Sequence, residues 1–156
     1  MRRTTLYTLR TRTDGETERF GAALGERIRR GLAVCISGPL GAGKTVLVRG
    51  VCRGLGVEGP VVSPTFILME MLEGRLSIAH VDLYRLEHER ELEEIGVFDL
   101  ADDDTTVVLA EWGERSPALL AAADVEIRIQ PDGEQVRVIT VAATAQAAEQ
   151  IGGIPW

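Results

Sequence analysis

The sequence predicts an α/β fold in three layers, with helices flanking a mixed parallel and antiparallel sheet. Three observations carry that prediction. Leu32-Ala33-Val34-Cys35-Ile36 and Thr106-Val107-Val108-Leu109-Ala110-Glu111 are short, nearly continuous apolar runs, the pattern of parallel strands buried on both faces. The first run leads into Gly38-Pro39-Leu40-Gly41-Ala42-Gly43-Lys44-Thr45, which fits G-x-x-x-x-G-K-[ST] and is followed by apolar residues at helical spacing. Two pairs of segments, 67–72 with 76–84 and 124–129 with 136–141, are joined by turns too short for a helical crossover, so they are antiparallel hairpins. Strand, glycine-rich loop and helix in that order define a P-loop NTPase-like fold.

The elements follow in order. Residues 6–11 alternate loosely and read as an edge strand. Thr13 and Asp14 offer helix N-caps, and Phe20, Ala23, Leu24, Arg27 and Ile28 then recur at i, i+3 and i+4, predicting an amphipathic helix over 14–30. After the loop, Val46, Leu47, Val48, Val51 and Leu55 mark a second helix that ends at Gly54 and Gly56. Residues 57–66, with two prolines and a glycine, form a constrained extended segment. The acidic stretch 86–95 is helical in propensity, Phe98 and Leu100 anchor a short turn, and 117–123 form a short helix. Beyond the last hairpin the chain turns small and polar. The expected organisation is therefore one domain over 1–143 and a loosely held tail over 144–156.

The loop's residue types suit polyphosphate. Its glycines let successive N–H groups turn inward, and the helix N-terminus adds unpaired donors and partial positive charge. Lys44 is placed to reach the β- and γ-phosphates, and the Thr45 hydroxyl to ligate Mg²⁺. Sixteen of the seventeen Lys and Arg residues are arginines, so the single lysine stands where a compact ammonium is wanted and a planar guanidinium would not serve. The candidate nucleotide-binding residues are Gly38, Leu40, Gly41, Ala42, Gly43, Lys44, Thr45 and Val46, joined by Trp112. A nucleoside triphosphate is the expected ligand.

Bulk properties narrow the class. A length of 156 residues suits one core, and 45% hydrophobic with 26% charged residues is ordinary for a globular protein. A formal charge of −7 argues against autonomous nucleic-acid binding, so any contact with RNA is expected to be indirect. No run has the length of a membrane span, and the first five residues lack the apolar stretch of a signal peptide, which points to the cytoplasm. Cys35 and Cys52 read as small buried apolar residues.

Hydrolysis needs more than a phosphate loop. Glu111 ends one apolar strand and Asp82 ends Ile78-Ala79-His80-Val81-Asp82, where ligands bind in open α/β sheets. Both are candidates for Mg²⁺ binding and for positioning water, and the residues leave the division between them open. Ser63 and Thr65 flank Pro64, either as a hydroxyl-bearing switch near the γ-phosphate or as a locally bonded turn. Trp112 either stacks on base or ribose or packs at the strand end. His80 and His88 lack companions at metal spacing and read as structural.

Four segments, GPLGAGKT, SPTF, HVDLYRL and AEWGE, occur in the order and spacing of the bacterial tRNA threonylcarbamoyladenosine biosynthesis ATPases, and the chain resembles that TsaE (YjeE) family over residues 14–141. The resemblance implies a Mg²⁺-dependent ATPase that works with the TsaB and TsaD proteins in placing threonylcarbamoyl on adenosine 37 of tRNA. It implies phosphate binding for Lys44, Mg²⁺ ligation for Thr45, a switch role for Thr65, Mg²⁺ binding and hydrolysis for Asp82 and Glu111, and a place beside the nucleotide for Trp112. Pro39, Val46 and Gly113 depart from the usual aspartate, threonine and proline. Two other readings are a small P-loop kinase and a nucleotide-dependent switch without turnover.

Overall fold

The computed structural model describes residues 2–64 and 68–156. Strand β1 (Thr4–Thr11) leads to helix α1 (Asp14–Arg27), β2 (Leu32–Ser37), α2 (Lys44–Gly54), β3 (Met69–Glu73) and β4 (Ser77–Asp82). Then follow α3 (Arg90–Glu94), α4 (Val97–Ala101), β5 (Thr106–Glu111), α5 (Pro117–Ala122), β6 (Val125–Pro131), β7 (Arg137–Ala143) and α6 (Ala145–Ile151). The strands form one sheet in the order β1-β7-β6-β2-β5-β4-β3. Its centre, β6-β2-β5-β4, is parallel. Hairpin partners add β3 on one side and β7 on the other, and β1 pairs antiparallel with β7 at the edge. The mixed sheet and both hairpins are thus as the sequence predicts.

Alternation along the strands divides the interior in two. Val34, Ile36, Ile78, Val107, Leu109 and Ile127 pack with Phe20, Leu24, Leu47 and Val51 of α1 and α2. Ala33, Cys35, Ala79, Val81, Val108 and Ala110 face the other way, against Leu92, Val97 and Leu119. Both cysteine thiols are buried, and burial pushes each up to about 12, as expected of inert core residues.

Helices α1 and α2 cross on glycines. A Cβ on Gly25 would stand 2.2 Å from the Val51 carbonyl oxygen and 3.0 Å from the Gly54 Cα. Gly15, on the same helix, has only an ordinary contact, 3.7 Å to Thr13 Oγ1. Alanine is worth about 1 kcal/mol over glycine inside a helix, whereas overpacking a rigid contact costs roughly 1–3 kcal/mol or more. Gly15→Ala is therefore expected to raise the urea midpoint and Gly25→Ala to lower it, with a net loss of stability of up to about 2 kcal/mol in Gly25→Ala. A stabilising Gly25→Ala would mean that the helices can move apart freely.

The segment after Ala143 corrects the expected loose tail. Thr144 caps α6 by accepting from the Ala147 N–H, and Ala147, Ile151 and Ile154 are buried in the α1–α2 core. The Tyr7 hydroxyl donates to the Ile151 carbonyl and accepts from Ile154 N at 2.9 Å, while Arg27 Nη1 donates to the Gly152 carbonyl at 3.0 Å. Trp156 packs edge-on to Phe20 with ring centroids 5.3 Å apart. The anchors come from β1 and α1, far away in sequence, which is why local composition hides them. Among the described residues no helix is long and apolar enough to cross a membrane.

Candidate functional site

The site lies at the C-terminal edge of the parallel strands, where register brings three chain segments level. Glu111 pairs with Ile36 of β2 on one side and with Asp82 of β4 on the other. Beyond β2 the chain turns back through residues 38–43 and enters α2. Gly43 caps α2 at φ 102°, ψ 20°, left-handed backbone that glycine reaches without strain, and no side chain caps the helix. The first-turn N–H groups are thus left for a ligand. A Cβ on Gly41 or Gly43 would meet nothing within 4 Å, so the loop is open where a phosphate would approach. Pro39 lacks an N–H, yet its carbonyl accepts from Ala42 N at 3.1 Å and closes the turn.

Lys44 is 5% exposed, and its Nζ donates to the carbonyls of Gly38 at 2.7 Å and Pro39 at 2.8 Å. Burial lowers its pKa, and the carboxylates of Glu114, Glu111 and Asp82 oppose that shift. The ammonium also sits 3.9 Å from the centre of the Trp112 ring, a cation–π contact. Trp112, itself left-handed at φ 59°, leans on Tyr84 with ring centroids 5.0 Å apart. Its ring thus lies beside the lysine of the glycine-rich loop. Gly113 has a packing reason of its own, because a Cβ there would come within 2.6 Å of Cys35 Cβ.

The two acidic strand ends take different partners. Glu111, 2% exposed, accepts from the Thr45 hydroxyl at Oε1, 2.7 Å, while its Oε2 lies 2.6 Å from His80 Nε2. Asp82 accepts from the Ser63 hydroxyl and, at 2.9 Å, from the Tyr84 N–H. All of these except the fully buried His80 line a cavity of about 510 Å³ that runs from Asp14 and Arg137 along the loop to Asp82 and Trp112. Leu40 and Val46 line it too, with Leu40 77% exposed at the loop's tip. Thr65 lies outside the described residues. Among the described residues no three His, Cys, Asp or Glu side chains cluster to cage a metal ion. One hydroxyl and two carboxylates of hard oxygen donors do fit Mg²⁺, which is ordinarily held by one or two carboxylates with the remaining positions left to phosphate and water.

Three participants escape sequence reading. Arg137, from β7, donates from Nε to the Ala42 carbonyl at 3.0 Å and from Nη2 to the Gly41 carbonyl at 3.2 Å, strapping the loop from ninety-five residues away. Nothing in its local sequence signals this. Glu114 accepts weakly from Gly38 N at 3.4 Å. His80 stands two residues before Asp82, and strand alternation alone puts both on one face. Arg137→Ala is expected to weaken phosphate binding about tenfold, the loss of roughly one charge-assisted bond's worth of loop order, with the melting temperature nearly unchanged. Calorimetric titration with ADP checks it, and an unaltered affinity would show that the loop holds its shape unaided.

Sheet order, loop and flanking acidic strand ends place the molecule in the P-loop NTPase-like α/β class. The chain belongs to the TsaE family: the family model described as "Threonylcarbamoyl adenosine biosynthesis protein TsaE" matches residues 11–139. The tRNA threonylcarbamoyladenosine biosynthesis protein TsaE of Mycobacterium leprae is 43% identical over 123 residues, covering 74% of this chain and 76% of that one. The Treponema pallidum protein of the same name is 36% identical over 132 residues, covering 85% and 97%. A crystal structure of the Bacillus protein YdiB superimposes with a TM-score of 0.74 over 97% of this chain and 93% of its own, at 24% identity, which shows a shared fold. The family's work is tRNA threonylcarbamoyladenosine biosynthesis.

Proposed function

We propose that this chain is the ATP-binding and ATP-hydrolysing component of the tRNA N6-threonylcarbamoyladenosine machinery, acting in the cytoplasm with the TsaB and TsaD proteins. The observation that carries the reading is the Thr45–Glu111 bond at the mouth of the phosphate loop. It sets a hydroxyl and a carboxylate side by side where the β- and γ-phosphates of a nucleotide cradled by residues 38–45 would end. On this reading Lys44 gives up the Gly38 and Pro39 carbonyls for phosphate oxygens, a favourable exchange of neutral acceptors for charged ones. The α2 N-terminus and the N–H groups of Gly41 and Gly43 would hold the rest of the polyphosphate.

Thr45 and one of the two carboxylates, Glu111 or Asp82, would hold Mg²⁺, which supplies charge neutralisation of the phosphates when bound. Whichever of the two carboxylates is not engaged that way orients the attacking water. The segment bearing Ser63 and Thr65 is the proposed γ-phosphate switch, linked to the site by the Ser63–Asp82 bond. Trp112 backs the lysine. With a net charge of −7, contact with tRNA runs through the partners.

The test is ATP hydrolysis by the purified chain, alone and with TsaB and TsaD. Slow turnover that rises with both partners is the expected result. Tight nucleotide binding without stimulation would overturn the ATPase role in favour of a passive switch.

A further inference from the structure

His80 reads at first as a core histidine, yet it is bonded unlike one. Its side chain is fully buried on β4, on the same face as Ile78 and Asp82 and across from Leu109 of β5, a place where an apolar residue would pack without cost. Nε2 lies 2.6 Å from Glu111 Oε2, and Nδ1 is a buried polar atom with no hydrogen-bond partner among the described residues. A neutral imidazole carries one proton, and the geometry chooses its place. A proton on Nδ1 would leave a buried donor orphaned and set the Nε2 lone pair against a carboxylate oxygen. A proton on Nε2 satisfies the carboxylate and leaves only an acceptor unfilled, the cheaper deficit.

Resting on the function proposed above, we infer that His80 is a positioning residue for Glu111, acting as the Nε2–H tautomer. The bond holds Oε2 against the sheet and thereby turns Oε1 outward to Thr45 and the cavity. Without it a buried carboxylate keeps one protein partner and regains its side-chain rotation. The chain Thr45–Glu111–His80 thus ties α2, β5 and β4 together under the site. It works as the second partner of a metal-binding side chain does, by fixing the orientation of a group that itself touches the ligand.

Two variants and two readouts test this. In His80→Gln the amide nitrogen reaches about the place of Nε2 and can still donate, whereas His80→Leu fills the space without a donor. Long-range ¹H–¹⁵N spectra of the ¹⁵N-histidine-labelled chain, assigned by the signals lost in His80→Gln, are expected to show His80 protonated on Nε2 and bare on Nδ1. Single-turnover ATP hydrolysis is expected to fall about tenfold or more in His80→Leu and to recover largely in His80→Gln. The dissociation constant for ATP without Mg²⁺ is expected to stay within about twofold, because Glu111 does not hold the phosphates in this arrangement. An Nδ1–H tautomer overturns the inference, as does wild-type turnover in His80→Leu, or equal impairment of both variants at matching melting temperatures. If the wild-type chain bound no nucleotide, the proposed function would fall while the tautomer still tested the His80–Glu111 bond.

Discussion

Replacing Lys44 with alanine is expected to lower nucleotide affinity at least about 100-fold and to leave the fold intact. Two hydrogen bonds from an ammonium to phosphate oxygens contribute roughly 1.5–3 kcal/mol each, and every 1.4 kcal/mol is a factor of ten. The same side chain now spans the loop to the Gly38 and Pro39 carbonyls, and those two residues line a separate cavity of about 380 Å³ on the other side of the loop from Leu40 and Gly41. Lys44→Arg is expected not to restore binding. The ammonium occupies a 5% exposed slot between loop carbonyls and the Trp112 ring, and the broader guanidinium does not fit there. Trp112, 3.9 Å from the ammonium, offers a fluorescence signal for the titration, with calorimetry as an independent check. ATP binding by Lys44→Ala at native strength would remove the loop from the account altogether.

Glu111→Ala is expected to separate binding from turnover. Loss of the carboxylate leaves Lys44, the loop N–H groups and the α2 N-terminus in place, so affinity for ATP without Mg²⁺ changes little. Turnover is expected to drop by about 100-fold or more, the usual scale for removing a charged group that acts on the transition state. Two bonds also disappear, one from Thr45 and one with His80, and an orphaned buried imidazole donor costs about 1–3 kcal/mol of stability. Glu111→Gln keeps the shape, so comparing the two variants separates lost packing from lost charge. Hydrolysis at the wild-type rate in Glu111→Ala would show that Glu111 has no part in the reaction, and would turn attention to Asp82.

The contrast between Lys44 and Arg137 shows what kind of information a sequence holds. The loop was legible because its chemistry is local: glycine placement, one lysine, one threonine and the helix that follows are all consecutive, and each residue type has its own physical reason to be there. The strands carrying Asp82 and Glu111 were legible for the same reason, as short apolar runs ending in a carboxylate. Both hairpins were visible in their turns, and the mixed sheet follows from them. Sequence alone therefore determined the α/β class, the phosphate loop and the two acidic strand ends as candidates.

Only the tertiary structure decided how these parts meet. Pairing of β4 with β5 set Asp82 level with Glu111, and their shared face set His80 beneath Glu111. Arg137 reached the loop because β7 folds back along β6, and α6 found its place because Tyr7 and Arg27 bind its C-terminal end. The glycine crossing of α1 and α2 likewise needs both helices present before either set of glycines has meaning. Periodicity and turn chemistry are written over a few neighbouring residues, where backbone geometry reads them directly. Register, straps and buried polar partners join residues tens of positions apart, and their energies exist only once the chain has closed around them.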